Sequence, residues 1–90
     1  MATAFGAITV TTTATIILPA NGRRRSCLIN NNGSAILYIG FDSTVTSVTG
    51  MPVLAGGFWI NSGETDAFRG VIYGIAASGT LDVRFEEVEF

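Results

Sequence analysis

The chain has 90 residues, of which 48% are hydrophobic and only 13% are charged, and its net charge is −2. A chain of this length forms one domain with a small core, so we expect a single domain over residues 1–90. The sequence contains no histidine. The commonest metal ligand and general base are therefore missing, and we expect no enzyme, no cofactor and no metal site.

The composition predicts an apolar surface. The charged fraction is about half that of an ordinary soluble domain, at roughly 25%, and a small core cannot hide the remaining apolar side chains. Large exposed apolar patches mark interfaces. All five basic residues are arginine, which interfaces prefer over lysine. We therefore expect a homo-oligomer or a subunit of a larger assembly.

Three absences bear on the cellular setting. Cys27 is the single cysteine, so no internal disulfide can form, and we expect a buried free thiol. No apolar run approaches the roughly 18 residues of a membrane span, and the first ten residues lack the pattern of a signal peptide. We expect synthesis in a reducing host cytoplasm and no membrane partner.

The first predicted element covers Ala7–Leu18. Apolar residues alternate from Ile8 to Leu18, which is typical of a strand or hairpin with one buried face. The sequence PANG at residues 19–22 then predicts a turn, because Asn-Gly is a strong turn signal.

Two apolar strands follow. Arg25–Asn30 places Cys27 and Ile29 on one face, and the sequence NNNGS at residues 30–34 predicts a turn. Ala35–Phe41 is apolar on both faces, which indicates a central strand of a sandwich or a strand at a subunit interface.

The middle of the chain is broken into short pieces. Residues 42–50 predict a polar surface loop, and Met51–Leu54 predicts a short edge strand because of Pro52. In Phe58–Ile60 the Trp59 ring lies opposite its two neighbours. Trp59 either caps a small second core or anchors a contact with another subunit or a partner.

The last third of the chain predicts two more strands. Residues 61–66 form a loop whose Glu64 and Asp66 make a weak case for calcium. Phe68–Ala76 is a strand interrupted by glycines. In Thr80–Phe90 the apolar parity changes at Glu86-Glu87, and a β-bulge there would turn every apolar side chain to one face.

These elements amount to seven or eight short strands separated by turn signals. This pattern predicts an all-β fold, namely a small antiparallel β-sandwich or jelly-roll-like barrel.

The run Arg23-Arg24-Arg25 has three readings. A nucleic-acid contact is disfavoured, because the net charge is negative and no aromatic residue lies nearby to stack on bases. A solvated corner between strands and a docking contact with acidic groups remain open. Glu86, Glu87 and Glu89 of an adjacent copy are candidate partners for docking. The predicted interface residues are Arg23, Arg24, Arg25, Phe58, Trp59, Phe85, Val88 and Phe90.

Three segments carry a resemblance to a known class of proteins. They read CLINNNGSAILYIG, MPVLAGGFWINSGET and GVIYGIAASGTLDVRFEEVEF. Together they resemble small β-sandwich structural proteins of tailed bacteriophage particles, over roughly residues 8–90. The resemblance implies a virion protein on the capsid surface, often a trimer, that binds the major capsid protein as a decoration or cement protein.

Two alternatives stay open at this point. The chain could be a tail, collar or fibre component of the same particle. It could instead be a carbohydrate- or receptor-binding module, with Trp59 or Tyr38 exposed as a stacking platform.

Overall fold

The computed structural model describes residues 3–63 and 67–90, which contain eight strands. None of these residues is helical, so no helix within them could cross a membrane. The strands are β1 (Thr3–Val10), β2 (Thr15–Leu18), β3 (Arg24–Asn31), β4 (Leu37–Gly40), β5 (Met51–Val53), β6 (Phe58–Ser62), β7 (Ile72–Ala76) and β8 (Leu81–Glu89).

The strands form two antiparallel sheets of four. Sheet A has the order β1-β8-β3-β6 and sheet B the order β2-β7-β4-β5. Strand β1 pairs with β8, β2 with β7, β3 with β6 and β4 with β5. The chain is therefore one long hairpin that rolls back on itself, which is the pairing of a jelly roll. The predicted all-β sandwich is confirmed.

The core lies between the two sheets and confirms several predicted strand faces. Cys27 and Ile29 point inward from β3. Strand β4 is central in its sheet, and β5 with Pro52 lies at the edge, both as predicted. Side chains from both sheets are fully buried here, namely Val10, Ile29, Leu37, Ile72, Leu81 and Val83.

The first predicted element is divided between the sheets. Strands β1 and β2 lie in different sheets, so the alternation does not continue along a single strand. The pairing of β2 with β7 shifts register between Ile16 and Leu18. Ile17 and Leu18 are consequently both buried while Ile16 is exposed, and the parity predicted through Leu18 is wrong there.

The bulge predicted at Glu86-Glu87 is absent. Strand β8 pairs with β1 in an unbroken register from Leu81 to Val88. Glu87 therefore shares the inward face of Leu81, Val83 and Phe85, while Val88 points outward. The irregularity lies in β3 instead, between Arg24 and Ser26.

The predicted Asn-rich turn begins later than expected. Strand β3 continues through Asn31, whose side chain is fully buried. Its amide nitrogen donates to the carbonyl oxygens of Ala35 and Val53, at 2.8 and 3.0 Å. Its amide oxygen accepts the Gly33 backbone N–H at 3.0 Å. Asn31 thus supplies the buried hydrogen bonds that shape the following turn.

The two sheets pack closely at Gly74, which leaves no room for a side chain. A Cβ atom at this position in β7 would lie 2.6 Å from Ile17 Cδ1 and 3.1 Å from Leu37 Cδ1. Gly74→Val should therefore overpack the core and lower the free energy of unfolding by about 1–3 kcal/mol. Urea denaturation followed by Trp59 fluorescence measures the loss.

Gly22→Ala is the matched control, because nothing lies within 4 Å of the Cβ atom it would add. Its midpoint should stay at the wild-type value. Equal midpoints for Gly74→Val and Gly22→Ala would contradict the close packing at Gly74.

Candidate protein-interaction surfaces

Arg24 is a buried structural residue with 0% exposure. Its Nε donates to Glu87 Oε2 at 2.7 Å, and Nη1 donates to the carbonyl oxygens of Phe68 and Gly70 at 2.9 Å each. Nη2 donates to the Pro19 carbonyl oxygen at 2.8 Å. One guanidinium therefore joins β3, β8, the segment before β7 and the turn after β2.

The docking prediction for Arg24 is corrected by this burial. Its donors are directed at groups of its own chain, so it offers nothing to a partner. Glu87, a predicted partner for arginines of an adjacent copy, is occupied by Arg24. Asn21 Nδ2 also donates to Glu87 Oε1 and Glu89 Oε2, at 3.2 and 2.9 Å. The sequence showed three equivalent arginines, and only the tertiary pairing distinguishes them.

Arg23 and Arg25 are the exposed members of the run. Arg23 Nη2 donates to the main-chain oxygen of Phe90 at 2.6 Å, which ties it to the end of β8. The Arg25 guanidinium forms no hydrogen bond or ion pair with any side chain of residues 3–63 and 67–90. It borders a shallow depression with Ser26, Ser62 and Val88. Arg25 is therefore available to an acidic group.

The outer face of sheet B is uncharged. The sequences of its four strands, TIIL, IYGIA, LYIG and MPV, contain no acidic or basic residue. Cross-strand neighbours place the outward side chains side by side, with Ile16 next to Tyr73 and Tyr38 next to Ile75 and Pro52. We call these five residues the sheet B face. Charge depletion with tyrosine enrichment is typical of interface cores.

The outer face of sheet A is apolar with a charged stripe. Phe5, Phe58 and Ile60 are 83%, 62% and 54% exposed. Register places Leu28 between Ile60 on β6 and Glu86 on β8, and Glu86 lies opposite Phe5 on β1. Apolar residues therefore flank the charged β8 stripe on both sides. We call Phe5, Leu28, Phe58 and Ile60 the sheet A face.

The eight predicted interface residues divide between surface and interior. Phe58 and Val88 lie on the outer side of sheet A, and Phe90 at its end is 43% exposed. Trp59 and Phe85 are half-buried and pack against the core instead. The interface assignment of the exposed residues stays a prediction.

Trp59 belongs to an aromatic cluster. Its ring centroid lies 5.9 Å from that of Phe41, and Phe41 stacks on Phe68 at 3.9 Å. Trp59 thus packs against the main core between the sheets, rather than capping a separate second core. Trp59 is half-buried and also lines a surface cavity with Phe41 and Met51.

Phe5 and Ile60 were not among the predicted interface residues. Phe5 falls in a short run before the first predicted strand. The parity Phe5, Ala7, Thr9 is opposite to that of the half-buried Ile8 and the buried Val10, and this contrast could have identified an outward Phe5.

The sequence offered two candidate chemical sites, the Cys27 thiol and a weak calcium site at Glu64 and Asp66. Burial raises the pKa of the Cys27 thiol, which disfavours its reactive thiolate form. Glu64 and Asp66, the weak calcium candidates, lie outside the described residues. The side chain of neighbouring Asn61 is used by Phe68, whose main-chain oxygen and nitrogen it contacts at 3.0 and 3.3 Å.

The buried ion pair yields a stability prediction. Arg24→Met should leave Glu87 without its charged partner and remove the donor to the carbonyl oxygens of Pro19 and Gly70. The Phe68 oxygen keeps its hydrogen bond from Asn61 Nδ2. We expect a loss of about 3–5 kcal/mol in the free energy of unfolding. Glu87→Gln, which keeps the shape of the side chain, should also destabilise the fold, because it leaves the Arg24 charge unpaired.

Arg84→Met is the matched control, since it removes the exposed ion pair with Asp82 at 2.8 Å. Exposed pairs contribute little to stability, so its urea midpoint should equal that of the wild type. A small effect for Arg24→Met, equal to that of Arg84→Met, would contradict the structural role of Arg24.

Comparison with known proteins gives no relative: no protein-family model, curated protein or solved structure matches this chain.

Proposed function

We propose that this chain is a structural protein of a bacteriophage particle, a decoration (cement) protein that binds the outer shell through protein–protein contacts. Its copies associate with one another, and the resemblance in the sequence favours a trimer. The observation that carries the proposal is the uncharged sheet B face, together with the exposed aromatic residues of sheet A. The motifs quoted above supply the phage context.

The sandwich is too thin to bury both sets of apolar residues. Its Cα atoms extend only 16 Å along the shortest axis, so the two sheets enclose a single core layer and leave two outer faces. Covering the apolar area of such a face stabilises an association by roughly 25 cal/mol for each Å² buried. Two apolar faces on opposite sides suit a subunit that contacts its own copies with one face and a larger lattice with the other.

The charge distribution suggests which face does which. The sheet B face has no charge to desolvate, which suits a permanent contact between copies. The sheet A face carries Arg84 and Glu86 among its apolar residues, and Arg25 lies at its end. Charged rims give orientation and specificity toward a different partner. We therefore assign sheet A to the shell.

This arrangement explains how the protein would stabilise a shell. A molecule that binds only the closed shell raises the free energy of opening it by mass action. Linked copies bind several shell sites at once, so modest individual contacts give tight overall binding. No catalytic group is required for this role.

The alternative role, as a tail, collar or fibre component, would use the same surfaces. The position of labelled protein on intact particles distinguishes the two roles.

The self-association is tested by sedimentation velocity. The wild type should sediment as an oligomer, and Tyr73→Lys should shift it to monomer by placing a charge on the sheet B face, with the far-UV spectrum unchanged. Phe58→Lys is the matched control, because Phe58 is 62% exposed on the outer face of sheet A rather than on the sheet B face. A monomeric wild type at high concentration would contradict the proposal.

The shell contact is tested by binding to empty shells at increasing salt. Arg23→Ser with Arg25→Ser, leaving the structural Arg24 in place, should weaken binding and flatten its salt dependence. Val48→Ser serves as the control, because Val48 is 91% exposed and lies between β4 and β5, two strands of sheet B. Unchanged binding by the double variant would show that Arg23 and Arg25 are solvated surface residues with no part in the shell contact. Absence of shell binding by the wild type would exclude the decoration role.

A further inference from the structure

Strand β1 forms an edge of sheet A on which no other strand pairs within residues 3–63 and 67–90. It is the outermost strand of sheet A, eight residues long, and contains neither a charged residue nor proline. The other edges are shorter: β2 has four residues, and β5 has three, one of them Pro52. β6 has five residues, and its Asn61 is bonded to the segment that follows. Natural proteins usually protect long edges with charge, proline or cover.

The hydrogen-bond pattern shows which β1 groups are free. The Asn32 N–H donates to the Asp82 carbonyl oxygen at 2.9 Å, so Asp82 points toward β3. Directions alternate along a strand, so Leu81, Val83 and Phe85 point toward β1. Their register partners Val10, Ile8 and Gly6 point back toward β8. The main-chain groups of the odd-numbered residues Thr3, Phe5, Ala7 and Thr9 therefore point to the open edge.

We propose that this edge pairs with β1 of a second copy of the chain, antiparallel and about a two-fold axis at Gly6. In this register Phe5 of each copy pairs with Ala7 of the other, and Thr3 of each copy pairs with Thr9 of the other. All four open residues then form hydrogen-bonded pairs. Centring the axis on Phe5 or on Ala7 would pair only three of them, so the Gly6 register satisfies the most main-chain groups.

The side chains of this register also fit together. Phe5 and Ala7 both lie on the outer face of sheet A, so the large Phe5 ring of one copy meets the small Ala7 of the other. A concavity exists at this place, lined by Gly6, Ala7, Leu28 and Arg84 among others. The second copy's ring would lie over Ala7 toward Arg84, the register neighbour of Ala7 on β8. Aromatic rings pack well against the flat face of a guanidinium.

This contact is separate from the sheet B face. An edge pairing about a two-fold axis uses the same residues on both copies and therefore gives a closed dimer. It cannot build the proposed trimer, but it can join one trimer to the next. The inference rests on the proposed function only in that both require copies of the chain to associate.

Cysteine crosslinking tests the pairing and its register. Phe5→Cys and Ala7→Cys are prepared as two separate proteins and oxidised alone and as a mixture. In the proposed register positions 5 and 7 of opposite copies have Cα atoms about 5.5 Å apart, within disulfide range. Identical positions lie roughly 9 Å apart, beyond that range. A disulfide-linked dimer should form in the mixture and in neither single variant. Wild type, with Cys27 buried, is the blank.

Each other outcome is decisive. Crosslinking of Phe5→Cys alone would place the axis at Phe5 and overturn the Gly6 register. No crosslink in the mixture, under conditions where sedimentation shows an oligomer, would overturn the edge pairing and leave the proposed function standing. A monomer at all concentrations would reject both. If a cysteine variant fails to associate, Ala7→Lys provides a second test. Its charge at the strand edge should abolish the pairing between copies, whereas the control Val48→Lys should leave the pairing intact.

Discussion

The buried guanidinium of Arg24 determines the geometry at one end of the sandwich. A charge taken out of water must be paired and hydrogen-bonded, and the partner here is Glu87 on the neighbouring strand. For Glu87 to reach it, β8 must continue its alternation without a bulge, and β3 must absorb the irregularity after Arg24. Val88 therefore faces outward, and the end of sheet A acquires its apolar exterior. Interior electrostatics thus determine which residues of β8 lie on the surface of the protein.

The sequence was sufficient for the elements whose periodicity is local. Cys27 and Ile29 share one parity of β3, and Pro52 favours an edge strand, and both predictions agree with the structure. The fold class also followed from short apolar runs and turn signals. Prediction failed where a distant residue decides the local conformation. No pattern near Glu87 shows that Arg24 will lie inside, because the two are separated by 63 positions.

The interface prediction was limited for a similar reason. A surplus of apolar residues could be counted, but assigning each to core or surface needs the parity of every strand. Trp59 and Phe85 are the large aromatic residues that a sequence reading would place at an interface, yet both pack on the core. Phe5 and Ile60 remain outside. The members of this surplus differ from those expected, in part because Gly6 leaves room for the Phe85 ring, which a Cβ atom at position 6 would approach to 2.9 Å.

The pairing of β1 with β8 has a consequence for how the chain folds. Strand β1 pairs with β8, so β1 cannot take its place in sheet A until β8 has left the ribosome. Long-range pairing of this kind slows folding and leaves unpaired strands exposed meanwhile. Throughout that interval β1 has two open edges rather than one. Dense synthesis of many copies on one message would then favour encounters between nascent chains, and the rate at which β8 arrives would govern the yield of correctly rolled protein.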